Sequence, residues 1–291
     1  MKKYDVIIIG AGISGVSLAH YCAKKGLQTL VLERNGRVGG TFHSHVFPET
    51  GSGFWVELGA HTCYNSYGNL VNMMEELSLL HQAAKKEKVG YKLLVGGRIQ
   101  SITSQMSFIE LLFSAPRLLT MKKEGRSIES YYSKIVGRNN FRKVFGPLFD
   151  AVICQRANDF PADILFKKRE RRKDVLKSFA MYHGLQSITE AIAQESGIEV
   201  SSGKAVEQVL FADGLFTVGV AGGEKYESSA LAFATPASVA ASLLQSPFPD
   251  IATALARIKV ETIETVGVAL RKDATALKPL AGIIAVDNSF Y

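Results

Sequence analysis

A glycine-rich turn between two apolar runs constrains this chain more than any other feature. Val6–Ile9 leads into Gly10-Ala11-Gly12-Ile13-Ser14-Gly15, a helical pattern follows, and a second apolar run, Thr29–Leu32, ends at Glu33. Strand, tight turn, helix, strand and acid in that order describe a dinucleotide-binding βαβ unit. Gly10 permits the sharp turn out of the first strand. Gly12, having no Cβ, lets a pyrophosphate approach the backbone, and Gly15 lets the helix pack closely on the sheet. A helix starting near Ala11–Ser14 aims free N–H groups and the positive end of its dipole at the phosphates. Glu33, at the tip of the second strand, can accept hydrogen bonds from ribose hydroxyls.

Directly after Glu33 comes Arg34-Asn35-Gly36-Arg37-Val38-Gly39-Gly40. A nicotinamide-only Rossmann domain has no need of this second glycine pair. The arrangement resembles the flavoprotein family of amine oxidases, protoporphyrinogen oxidases and phytoene desaturases, in which an E-x-x-x-R-x-G-G element also runs along the FAD. The resemblance implies FAD as cofactor, with Glu33 on the adenosine ribose. It places Arg37, Gly39 and Gly40 near the phosphates and ribityl chain, with Arg34 and Thr41 as neighbouring contacts. Many members carry Arg after the glycine pair where this chain has Thr41, which weakens direct charge on the pyrophosphate.

Three more segments fit the same family. Val56-Glu57-Leu58-Gly59-Ala60-His61 resembles an element that passes close to the flavin ring. Tyr182–Ile192 resembles the turn and helix that re-enter the cofactor domain. Phe233-Ala234-Thr235-Pro236 resembles a strand end written A-T-P, and Val206 stands where the family meets the adenine through a valine backbone. His61 is the titratable group the resemblance puts beside the ring, to orient substrate or tune the flavin. A structural hydrogen bond is the plainer role for it. The family's C-terminal flavin-contacting element is absent from this sequence, which stops at Tyr291 inside what reads as a return pass through the substrate domain.

The fold class expected is α/β: an FAD-type Rossmann domain, doubly wound, with a βαβ unit and a three-stranded β-meander, holding an inserted, largely helical α+β substrate domain. The cofactor domain reads as 1–80 plus 184–250, and the substrate domain as 81–183 plus 251–291. Helices are expected at 66–80, 107–119, 127–136, 139–152, 187–196 and 238–244. A hairpin turning at Gly96-Gly97 is expected at 91–99. Strands are expected at 199–201, 204–211, 215–220, 225–234, 263–270 and 282–286. The apolar stretch 106–119, followed by Lys122 and Lys123, reads first as a buried helix. The resemblance offers the other reading, a membrane-contact or substrate-channel surface over 106–123.

Composition excludes several classes. With 47% hydrophobic and 21% charged residues the chain is globular. No apolar run reaches the roughly 18 residues needed to cross a bilayer. Cys22, Cys63 and Cys154 are dispersed, so neither a disulfide framework nor a zinc site is expected, and no metal is assigned. The net charge of +7 is concentrated in Lys167–Lys173 and Lys85–Lys88, a solvated face or a patch attracting anionic lipid or a polycarboxylate. Few aromatics interleave with it, so nucleic acid is not expected. The cytoplasm is the default compartment, with peripheral contact at the inner face of the membrane.

The activity expected from the resemblance is FAD-dependent removal of hydride from a C–N or C–C bond of an amine, porphyrinogen or polyene-like small molecule. Two alternatives use the same residues. One is a flavoenzyme of the UDP-galactopyranose mutase type, which Gly59-Ala60-His61 allows. The other is a shortened, non-catalytic dinucleotide-binding module.

Overall fold

The computed structural model describes residues 2–51, 53–274 and 278–286. The chain forms two units, residues 1–86 with 170–269 and residues 87–169 with 270–291.

The first unit is built on strand β1 (Lys2–Ile9), helix α1 (Ile13–Lys24) and strand β2 (Thr29–Glu33). β1 is flanked by parallel neighbours, β2 on one side and Lys225–Phe233 on the other, with Ile9 opposite both Leu32 and Phe233. A strand covered on both faces reads as an unbroken apolar run, and Val6–Ile9 is buried throughout. Ile8 and Val31 face α1 residues Val16 and Ala19, while Ile7, Leu30 and Leu32 pack on the opposite face with Val218 and Val220. Ile198–Ser202 adds a parallel strand outside β2. On the far side, Val206–Ala212, Leu215–Val220 and Lys225–Phe233 form an antiparallel meander that completes one six-stranded sheet. The meander is continuous with the Rossmann sheet because its last strand is also β1's neighbour.

A second, small sheet pairs Ser178–Met181 with Cys63–Tyr64 and Ala83–Lys85. The stretch 170–183, assigned above to the substrate domain, is therefore drawn into the first unit by ladder hydrogen bonds. The expected helix over 66–80 is shorter, Gly68–Glu76, because Ser78 adopts a left-handed conformation (φ 57°) that a helix cannot continue through. The alternating segment 263–270 is not a strand. It has the right period, but no described neighbour offers it a ladder, and Val266 and Leu270 stay exposed. The helix Pro249–Ala256 escaped the sequence reading although Pro249-Asp250 is a sound helix start.

The second unit contains the expected hairpin, Tyr91–Val95 with Arg98–Ser101, turned by Gly96 and Gly97 at φ 54° and 72°. Gly282–Ala285 joins it in parallel. Its core gathers Ile128, Tyr131, Ile135, Phe141 and Phe149. The expected single helix over 139–152 is instead a short turn, a π-helical turn at Phe141–Phe145 and a helix Gly146–Ile153. Pro147 explains the widening. It has no N–H to give, and its ring would crowd the carbonyl four residues back. The Gly146 N–H bonds instead to the Phe141 carbonyl.

The apolar segment 107–119 departs from its first reading. It is a helix, Phe108–Ser114, and a 3-10 turn, Ala115–Leu119, and most of its large side chains face solvent, Phe113 at 75% and Leu119 at 89% exposure. Buried Asn140 anchors the segment. Its Oδ1 accepts from the Ser107 N–H (2.7 Å), and its Nδ2 donates to the carbonyls of Ser107 (2.9 Å) and Val136 (2.8 Å). Asn140→Ala strands all three backbone groups, so it should destabilise the second unit by about 2–3 kcal/mol, measured as a shifted urea transition. An unshifted transition would show that these bonds do not hold the unit.

Candidate functional site

A cavity of about 660 Å³ opens at the carboxyl ends of β1 and β2, where Gly10, Gly12, Glu33, Arg34, Val206 and Thr235 meet. Strand ends at the edge of an α/β sheet are where such folds place ligands.

The three glycines of the turn do different work. At Gly10 (φ 103°) a Cβ would fall 2.6 Å from the Ala234 carbonyl oxygen, and at Gly15 it would collide with the Gly10 carbonyl. Both positions are closed by neighbouring backbone. Gly12 is not. Its φ of −69° suits any residue, and the nearest atom to a Cβ there would be Gly40 Cα at 3.8 Å. Gly12 is bare toward the cavity rather than toward the protein. α1 begins immediately after it, with no side-chain cap and no acid in its first turn. The first-turn N–H groups are thus left for a ligand, beside the positive end of the helix.

Glu33 is 6% exposed. Its Oε2 accepts from the Ala11 N–H (2.9 Å), and its Oε1 from the Asn35 N–H (2.9 Å) and Nδ2 (2.7 Å). Three bonds leave an ionised carboxylate one acceptor position. Arg37 lines the cavity, yet its guanidinium donates to the carbonyls of Val38 (3.2 Å) and Gly40 (3.1 Å). It therefore clips the loop's own backbone, and burial lowers its pKa from the ordinary value. Gly39 ties the loop to the turn through its N–H to the Ala11 carbonyl (2.8 Å).

Six residues singled out in the sequence do not line the cavity: Ala11, Gly15, Gly39, Gly59, Ala60 and His61. The other twelve do. Gly59 and Ala60 support Thr41: the Ala60 N–H donates to the Thr41 carbonyl at 2.9 Å, and a Cβ on Gly59 would strike that carbonyl. His61 is exposed, with Nδ1 2.8 Å from Thr62 Oγ1. Nearby Cys63 is buried, which pushes its thiol up to about 12, so it is neutral and unreactive at physiological pH.

Sequence reading missed Asn35, Lys204, Val239 and Leu243 on the cavity wall. Val239 and Leu243 are four apart on the helix Ala237–Leu244, and that spacing was a legible signal for one apolar face. Lys204 was legible only as a cation two residues from Val206. Its backbone N–H donates to the Glu33 carbonyl (2.8 Å). At Val206 the ladder slips by one residue before Gln208, a bulge that turns the backbone at the wall.

The sequence profile described as flavin containing amine oxidoreductase matches residues 13–283. The 15-cis-phytoene desaturase of Narcissus pseudonarcissus is 31% identical over 86 residues, 30% of this chain and 15% of that protein. Among solved structures, a candidate protoporphyrinogen oxidase from Exiguobacterium sp. 255-15 superposes with a TM-score of 0.64 at 17% identity, covering 86% of this chain and 63% of the other. Putrescine oxidase bound to putrescine does so with a TM-score of 0.59 at 16% identity, covering 83% and 60%. The chain thus spans less than two thirds of each relative's length.

The cavity fits FAD, the flavin cofactor that this family's description implies. Gly12 leaves open the space a Cβ would fill, and Thr235 Oγ1 is a buried hydroxyl on the wall with no hydrogen-bond partner among the described residues. Glycine substitutions separate fold from binding. Gly12→Ala should keep its melting temperature within a few degrees while weakening FAD binding about tenfold or more, because the added methyl takes up room that a phosphate needs to reach the backbone N–H groups. Gly15→Ala should lose the fold itself. Thermal melts and flavin fluorescence titration read the two effects, and equal FAD affinity for Gly12→Ala and the parent would refute the assignment.

Proposed function

The chain belongs to the flavin-containing amine oxidoreductase family, and from that premise we propose that it is the FAD-binding part of an oxidoreductase that removes hydride from a C–N or C–C bond. The observation that carries the reading is the single cavity joining the uncapped start of α1, the Glu33 carboxylate and the backbone bulge at Val206. When bound, FAD supplies the hydride acceptor. The chain's own residues bind and orient it. First-turn N–H groups of α1 meet the pyrophosphate, with Arg34 adding positive charge. The remaining acceptor position of Glu33 takes a ribose hydroxyl, and Val206, Val239 and Leu243 form an apolar bed for the adenine. Arg37 and Gly39 act indirectly, by fixing the loop that carries Gly40 and Thr41.

The substrate class proposed is a small apolar or amine-bearing molecule. It is supported by relatives named for polyamine, porphyrinogen and carotenoid substrates. His61, solvent-exposed and held by Thr62, is proposed as a group that orients substrate. The purified chain should be yellow, or turn yellow on reconstitution, and release FAD on denaturation. Glu33→Gln should weaken FAD binding by about tenfold, whereas His61→Asn should leave it unchanged and alter KM or kcat where turnover is measured. A colourless protein that resists FAD, or one that takes NAD instead, would overturn the reading.

A peripheral membrane contact at the inner, cytoplasmic face is proposed with it. Free cysteines support the compartment, one of them exposed. Phe108, Ile109, Leu112, Phe113 and Leu119 are exposed apolar side chains, with Arg117 among them in sequence and Lys122 and Lys123 after them. Apolar side chains flanked by cations suit an anionic lipid surface. The chain should float with phosphatidylglycerol vesicles and much less with phosphatidylcholine vesicles. Leu112→Asp together with Phe113→Asp should abolish flotation, and flotation of the double variant would refute the contact.

A further inference from the structure

The second unit holds a cavity that the FAD reading leaves unused. It is about 550 Å³ and polar, and it is lined by Arg138, Arg142, Arg156 and Asn139, with Glu129 and Asp150 at its wall. Among the described residues, none of the three guanidinium groups has a hydrogen bond or an ion pair. Asp150 is engaged elsewhere: its Oδ1 accepts from the Ala157 N–H at 2.7 Å.

The turn that carries these arginines is held firmly. Glu110 accepts from the Asn139 N–H (2.9 Å) and the Asn140 N–H (3.0 Å) through separate oxygens. The Asn140 side chain bonds both Ser107 and Val136. The π-helical turn Phe141–Phe145 follows at once, and such widened turns concentrate at functional sites. Arg138 and Arg142 are four apart, a spacing that sets like charges side by side and costs stability unless something offsets it. A preorganised turn presenting uncompensated guanidinium forks is suited to oxyanions, which those forks bind in pairs.

We propose that this cavity binds a small polyanion bearing at least two phosphate or carboxylate groups. The site lies wholly in the second unit and does not depend on FAD. Arg142 and Arg156 are exposed and bond nothing among the described residues, so replacing them should leave the fold intact.

The test uses the full chain, preloaded with FAD so that the first cavity is filled, at fixed ionic strength. Pyrophosphate and citrate are titrated separately by calorimetry, which distinguishes a phosphate ligand from a carboxylate one. Saturable one-to-one binding of either is expected, with a rise in Tm. Arg142→Gln and Arg156→Gln should each weaken it by about tenfold or more, without changing the flavin spectrum or the anion-free Tm. Absence of saturable binding for both anions, or equal binding by the parent and both variants, would overturn the proposal.

Discussion

The first unit depends on backbone meeting backbone with nothing in between. Gly10 and Gly15 lie against each other and against Ala234, while Gly12 faces Gly40. The Gly39 N–H and the Ala11 carbonyl then lock the loop to the turn. Gly10 and Gly15 let α1 sit against the sheet, while Gly12, which no neighbour crowds, leaves the start of the helix open to the cavity. Packing and ligand binding are therefore divided among neighbouring glycines of one turn. Glu33 closes the arrangement from below, since its buried carboxylate holds both the turn, through Ala11, and the start of the loop, through Asn35.

Much of this was legible because it is local. The Gly-x-Gly-x-x-Gly turn, Val6–Ile9, Thr29–Leu32 and Glu33 sit within one βαβ unit, and their spacing is set by helix and strand geometry rather than by distant partners. The meander was equally readable, because Asp213-Gly214 and Gly222-Gly223 mark its turns. What failed were readings that needed a partner. Residues 263–270 alternate like a strand, but alternation cannot supply a neighbouring ladder. The 107–119 segment is as apolar as a core helix, and apolarity alone does not say what covers it. The resemblance places His61 beside the flavin ring and Arg37 near the phosphates, while the contacts their side chains make within the chain, with Thr62 and with loop carbonyls, depend on folding not encoded in spacing.

Charge is distributed with a similar division of labour. On the first unit, Arg172 is pinned by Glu75 and Asp174, at 3.0 Å and 2.6 Å, leaving the rest of the basic run in solvent. Lys24 and Glu76 join at 2.8 Å around His20, whose ring nitrogens also meet Glu195 (2.8 Å) and Glu76 (2.9 Å). These pairs tie helices whose apolar faces already touch. The three cavity arginines of the second unit differ, since they tie nothing.

The placing of β1 has a consequence for biosynthesis. It leaves the ribosome well before the strand Lys225–Phe233, so Ile9 waits for Phe233 to gain one of its two neighbours. At about 5–20 residues per second, that wait is roughly ten to forty seconds. Throughout it, one margin of a strand whose Val6–Ile9 half is apolar has no intramolecular mate, the kind of margin on which nascent chains stick to each other. The 87–169 segment is synthesised inside that interval and can gather its own interior meanwhile. The open margin of β1 thus lasts until the meander is made, and only then does the central strand of the sheet gain its second neighbour.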